Sequence, residues 1–169
     1  MAAANSTTTA NTAQDIQPVF NRVQQTGTHD CIFACVAMIA GKSLEEVMSI
    51  AISDLKHPRH GPFWPLVEEE IATLLAKFSL VGSVYKQITK GIVDIPAVAI
   101  VIVDYNEESE LGRHAVFIRD SSNMKAVKEY IIDPASWIST DLHVRNDFKN
   151  IGPAWYIGVH PMAKPTAAK

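Results

Sequence analysis

Three side chains of this sequence stand where covalent chemistry could be assembled. Cys31 heads an apolar run, His114 heads a strand-like run, and Asp133 ends another. Cys31 lies in QTGTHDCIFAC, residues 25–35, directly behind an aspartate suited to capping a helix. Unpaired backbone N–H groups and the positive end of the helix dipole gather at such a position. A thiol placed there is expected to have a lowered pKa and to be partly thiolate near neutral pH, the form that attacks carbonyl carbon. Gln25, six residues upstream, carries an amide N–H that can stabilise the resulting oxyanion together with the backbone N–H of Cys31. Only spacing separates it from its neighbour Gln24. His114, in LGRHAVFIRD, is the candidate general base, taking the thiol proton and later returning it to the leaving amine. Asp133, in EYIIDPASW, is the candidate for orienting the imidazole and stabilising its charged form. Trp137, close behind, is expected either to shield that contact from water or simply to pack.

The elements that must position these residues are legible from periodicity and punctuation. Asp30 opens a helix that runs to about Ala40 and stops at Gly41. Ser43 and Glu46 have capping-box spacing for a second short helix, SLEEVMSIA. After the proline-rich loop HPRHGPFWP, Pro65 suits the first position of a third helix, with Val67, Ile71, Leu74, Leu75 and Phe78 on one face. Five strand-like runs follow: VGSVYKQI, PAVAIVIVDY, HAVFIRD, KEYIIDP and AWYIGVH. Helices first and strands second predict an α+β domain, its antiparallel sheet packed against the cysteine-bearing helix.

The order Gln, Cys, His, Asp resembles that of papain-like cysteine proteases. The local pattern is similar to the bacteriocin-processing, C39-type peptidases and their stand-alone relatives. Asp30–Cys31, Gln25 six residues before, the small and apolar helix CIFACVAMIAG, the strand HAVFI and the strand-ending Asp133–Pro134 all carry that likeness, from about Val23 to His160. The resemblance implies a papain-like fold, a Cys31–His114–Asp133 triad, Gln25 as oxyanion donor, and a peptide or protein substrate. Two positions depart from the family pattern. Ile32 follows the cysteine where the family has glycine, and its branched side chain is expected to crowd the mouth of the site. Ala135, Ser136 and Trp137 follow Asp133–Pro134 where the family often has Asp-Pro-x-x-Gly.

With 169 residues, 47% of them hydrophobic, the chain is sized for one domain with a full core. The reading places a disordered leader at residues 1–19, the peptidase-like domain at 20–161 and a flexible tail at 162–169. A net charge of −3 without a basic block argues against a nucleic-acid partner. CIFACVAMIA and IPAVAIVIV fall short of the roughly 20 residues needed to span a bilayer, and no signal peptide is recognisable at the N-terminus. The two cysteines, Cys31 and Cys35, form no disulfide framework and fit a reducing cytoplasm, or export without a cleaved signal. Cys35 reads as core. Zinc held by Cys31, Cys35, His29, His57 and His60 is disfavoured, because a Cys-x-x-x-Cys inside an apolar helix does not present two thiolates on a loop. No metal or organic cofactor is expected, and nothing in the sequence sets an oligomeric state. Peptide hydrolysis, glutamine deamidation, transpeptidation and cell-wall amide cleavage use the same constellation. The rival from another class is a catalytically idle binding or immunity module on the same fold.

Overall fold

The computed structural model describes residues 16–58, 66–123 and 126–163. Three helices come first: α1 (Cys31–Ala40), α2 (Leu44–Asp54) and α3 (Glu68–Lys77). Gly41 ends α1 in the left-handed conformation, φ 65°, and its N–H reaches back to the Ala37 and Met38 carbonyls. Only glycine adopts that geometry without strain. At the head of α2 the Ser43 hydroxyl accepts from Glu46 N–H while the Glu46 carboxylate accepts from Ser43 N–H, the reciprocal cap its sequence predicts. The third helix begins at Glu68, three residues later than expected. Val67 is its exposed N-cap rather than part of its apolar face, which Ile71, Leu74 and Leu75 form. Pro65 and His60 lie outside the described residues.

The strands are β1 (Leu80–Gly82), β2 (Lys86–Gln87), β3 (Val98–Asn106), β4 (Leu111–Asp120), β5 (Lys128–Ile132), β6 (Val144–Arg145) and β7 (Trp155–Pro161). They form an antiparallel sheet in the order β1-β7-β3-β4-β5-β6, with β2 also pairing β7. The architecture is therefore α+β, as the order of elements in the sequence predicts. The run VGSVYKQI is not one strand, however. Its two ends pair successive stretches of β7, Gly82 with Val159 and Lys86 with Tyr156, and residues 83–85 break the ladder between them. The two-residue strand β6 and the short helix α4 (Phe148–Ile151) carry no periodicity long enough to be read in advance.

Strand alternation sorts the sheet into two faces. Ile100, Val116, Ile118, Tyr130, Ile132 and Ile157 pack against the helices with Phe33, Val36 and Leu74. On the other face Ala99, Val101, Ala115, Phe117 and Ile131 pack with Ile95 and Ile151. Helix α1 lies against β4, and α3 against β1. A close approach fixes Gly112 near the β3–β4 turn. A methyl group there would fall inside contact distance of Ile102 Cγ2 and 3.1 Å from the Val103 carbonyl oxygen. Gly112→Ala is expected to lower stability by about 1–3 kcal/mol in urea titrations, through overpacking that a β-branched neighbour cannot relieve.

The folded part also begins before residue 20. Ile16 packs on the helix-side core, and Val19 N–H donates to the Tyr130 hydroxyl at 2.9 Å. At the other end Met162 N–H still pairs with the Ser79 carbonyl at 2.8 Å. The remainder of the expected leader, 1–15, and of the tail, 164–169, lies outside the described residues.

Candidate active site

Cys31 is the first residue of α1, and His114 sits on β4, the strand that α1 covers. His114 shares the strand parity of Val116 and Ile118, so its side chain faces the helix. Cys31 Sγ and His114 Nδ1 come within 3.3 Å, and the His114 backbone N–H lies 3.4 Å from the same sulfur. The pairing expected from the sequence is thus assembled. Cys31 is only 7% exposed.

Burial sets the resting protonation. Desolvation pushes the Cys31 thiol up, outweighing the backbone N–H groups of His114, Ile32 and Cys31 that favour the thiolate; the Asp30 charge adds to the rise. Desolvation also lowers His114 to about 4. The helix terminus acts in the direction anticipated, yet the cost of burying charge is larger and favours the uncharged form of each group, against the thiolate expected from helix position alone.

Asp30 departs from its expected role as well. It occupies the N-cap, and its carbonyl accepts from Ala34 N–H, but its carboxylate makes no cap hydrogen bond. Oδ2 instead accepts from Thr26 N–H at 2.9 Å, Thr26 Oγ1 at 2.8 Å and Gly27 N–H at 2.8 Å. The carboxylate so fastens the 26–30 turn that delivers Cys31. Ile32, expected to crowd the mouth, turns into the core at 2% exposure and leaves the entrance alone. Cys35 is fully buried among core residues, and burial holds its thiol well above the ordinary range.

The structure separates the two glutamines that the sequence left side by side. Gln24 is exposed and donates to the Ser136 carbonyl at 3.0 Å. Gln25 is buried, its Nε2 donates to the Gly27 carbonyl at 2.7 Å, and its Oε1 has no partner among the described residues. Its backbone N–H donates to the Pro134 carbonyl at 2.9 Å. Arg22 reinforces this alignment, donating to the carbonyls of Asp133, Ala135 and Ile138 at 2.8, 2.6 and 3.0 Å.

Asp133 is buried, but the expected carboxylate–imidazole contact is not made. Arg113 Nη1 lies 2.5 and 2.6 Å from its two oxygens, and Oδ1 also accepts from Ala135 N–H at 3.0 Å. Arg113 Nε in turn donates to Asp104 at 2.5 Å. Strand parity is the reason. Val116 pairs with Ile132, so the next residue after β5 falls opposite Ala115, on the face away from α1. Arg113 has that same parity, whereas His114 points to the opposite side. Trp137, 64% exposed, shields nothing.

The far nitrogen of His114 meets a residue that sequence reasoning missed. Tyr85 Oη lies 2.9 Å from His114 Nε2, with the two ring centroids 6.5 Å apart. Tyr85 belongs to the break between β1 and β2 and packs against the helix-side core. Its backbone N–H donates to a carboxylate oxygen of Glu68 at the head of α3. Burial raises its phenol well above the ordinary tyrosine range, so it stays protonated. The only signal in the sequence is an aromatic residue inside a run read as a plain strand.

Among the described residues, His, Cys, Asp and Glu side chains do not gather in a group of three or more suited to a metal ion. Among them, too, no helix is long and apolar enough to cross a membrane.

No protein-family model and no curated protein matches the chain. Solved structures do. The crystal structure of the peptidase domain of Streptococcus ComA, a bifunctional ABC transporter involved in a quorum-sensing pathway, matches with a TM-score of 0.55 at 15% identity, over 83% of this chain and 98% of that one. The chain shares the fold of that peptidase domain. The peptidase domain of Streptococcus mutans ComA matches over the same shares at 15% identity, with a TM-score of 0.49.

Proposed function

We propose that this chain is a cysteine peptidase of the papain-like, C39 type, with Cys31 as nucleophile and His114 as general base. The observation that carries the reading is the 3.3 Å approach of Cys31 Sγ to His114 Nδ1 at the start of α1. Nucleophile and base within hydrogen-bond reach, one on a helix terminus and one on the strand beneath, is the arrangement acyl transfer needs. The likeness in fold to the ComA peptidase domain supports it, and a peptide is the substrate class that likeness suggests.

In the proposed cycle the Cys31 thiol gives its proton to His114 Nδ1 as the sulfur attacks the substrate carbonyl carbon. Negative charge moves to the carbonyl oxygen, where the Cys31 backbone N–H and the free hydrogen of the Gln25 amide receive it. The carbon–nitrogen bond breaks, and the leaving amine takes the proton from Nδ1. Water then attacks the thioester carbon, passing a proton to Nδ1; the acid departs and the thiol is restored. No step calls for a metal or an organic cofactor.

The test is incubation with a proteome-derived peptide library, reading new termini by mass spectrometry beside a Cys31→Ala control. Peptide fragments that depend on Cys31 are the expected result, and ammonia release without fragments would redirect the reading to a deamidase. Neither product, with Cys31 inert to iodoacetamide, would leave the idle binding or immunity module. On a substrate found this way, Gln25→Ala is expected to lower kcat about 100- to 1,000-fold with KM little changed, the effect of removing one oxyanion donor.

A further inference from the structure

The proposed base has a second ring nitrogen, and its partner decides which nitrogen carries the proton. Nδ1 can accept the Cys31 proton only in the tautomer whose hydrogen sits on Nε2. That hydrogen needs an acceptor at a ring that is partly withdrawn from solvent. Asp133 does not serve, because the β4–β5 register turns it to the opposite face of the sheet, where Arg113 meets both its oxygens. Tyr85 Oη, 2.9 Å from Nε2, is the partner present.

We propose that Tyr85 is the positioning residue of this site: its phenolic oxygen accepts the Nε2–H of His114, fixes the imidazole in the tautomer that faces Cys31 with a bare Nδ1, and takes the place expected of Asp133. This rests on the reading of Cys31 and His114 as nucleophile and base. The break in the β1–β2 edge strip is what makes the contact possible. Ser83 N–H donates to the Gly158 carbonyl at 2.8 Å and Gly158 N–H donates to Ser83 Oγ at 2.9 Å, so the chain stays fastened to β7 while residues 84 and 85 leave the ladder. The Glu68 carboxylate then holds Tyr85 at its backbone N–H. Both anchors act on the backbone and leave the hydroxyl to the imidazole.

A phenol differs from a carboxylate in one respect that matters here. It orients the ring without a full negative charge, so it supports the imidazolium less. The lowered His114 pKa agrees with that, since desolvation lowers it and no carboxylate charge offsets the loss.

The experiment combines two readouts on the full chain. The first is the rate of Cys31 alkylation by iodoacetamide at neutral pH in wild type, Tyr85→Phe and His114→Ala, with thermal melting of each variant alongside. Tyr85→Phe keeps the ring and removes the hydroxyl. It is expected to slow labelling about 10- to 100-fold, the worth of one hydrogen bond to a group that becomes charged. The second readout is the long-range 15N–1H spectrum of the histidine side chains, with the His114 signals identified by their loss in His114→Ala. Wild type should show the hydrogen on Nε2, and Tyr85→Phe a mixture of tautomers. A wild-type spectrum with the hydrogen on Nδ1 would overturn the proposal without recourse to any variant. Labelling at the wild-type rate in Tyr85→Phe, with His114→Ala slow, would overturn it too, while leaving Cys31 and His114 in their roles. Labelling unaffected by His114→Ala would instead remove the base itself, and Tyr85 with it.

Discussion

Replacing His114 with alanine is expected to lower turnover of a peptide substrate about 100- to 10,000-fold, the range for loss of a positioned general base. The dependence of kcat/KM on pH checks the same residue in wild type. Burial holds His114 at about 4, so the imidazole stays neutral, and able to take a proton, from that pH upward. The acid limb of the profile should therefore fall near pH 4, well below the ordinary histidine value of about 6.5. Among the described residues, the side chains within hydrogen-bond reach of the ring are Cys31 from α1 and Tyr85 from the β1–β2 break, with Glu68 held at the Tyr85 backbone. No thiolate absorbance should be seen at neutral pH in the free protein, because burial has raised Cys31 rather than lowered it. An acid limb near 6.5 with a visible thiolate would restore the ion pair expected from the sequence.

The second large effect is on stability. Asp133 is fully buried and its charge is met by Arg113, whose guanidinium is itself mostly covered. Arg113→Met would leave that carboxylate without its counter-charge. A loss of about 3–5 kcal/mol in urea unfolding is expected, the scale for breaking a buried pair from one side. Adding Asp133→Asn should recover a good part of it, because a neutral amide can be buried at lower cost. The double-mutant cycle then isolates the coupling between the two residues. Arg113 touches neither Cys31 nor His114 side chain among the described contacts, so the folded variant should still be alkylated at Cys31 at the wild-type rate. Should Asp133→Asn alone abolish Cys31 reactivity while unfolding as wild type does, the carboxylate rather than Tyr85 would be the orienting group.

Much of the fold was legible because it depends on local rules. The apolar run of α1 with Gly41 behind it, the Ser43–Glu46 box and the long strand runs of β3, β4 and β7 each declare themselves within about ten residues. So did the first two members of the site. A cysteine opening a helix and a histidine heading an apolar run are sequence features, and the α1–β4 packing that joins them follows from the apolar faces of both. Strand β4 itself starts at Leu111, three residues before the expected start at His114, because residues 111–113 complete the hairpin with β3.

The rest depended on long-range pairing. Whether Asp133 faces Cys31 or the far side of the sheet turns on a register of a single residue between β4 and β5, and residues 131–133 carry no mark of which face is which. Tyr85 reaches His114 only because two short stretches pair with β7 and the residues between them do not. Protonation was likewise out of reach. Helix position alone argues for a thiolate, whereas the desolvation that opposes it exists only once the helices and sheet have closed over the pair. The sequence by itself determined the layers and the candidate pair Cys31 and His114. The tertiary structure decided that Tyr85 rather than Asp133 lies against that histidine, and that the Asp133 carboxylate is met by Arg113, because both depend on pairing between distant strands.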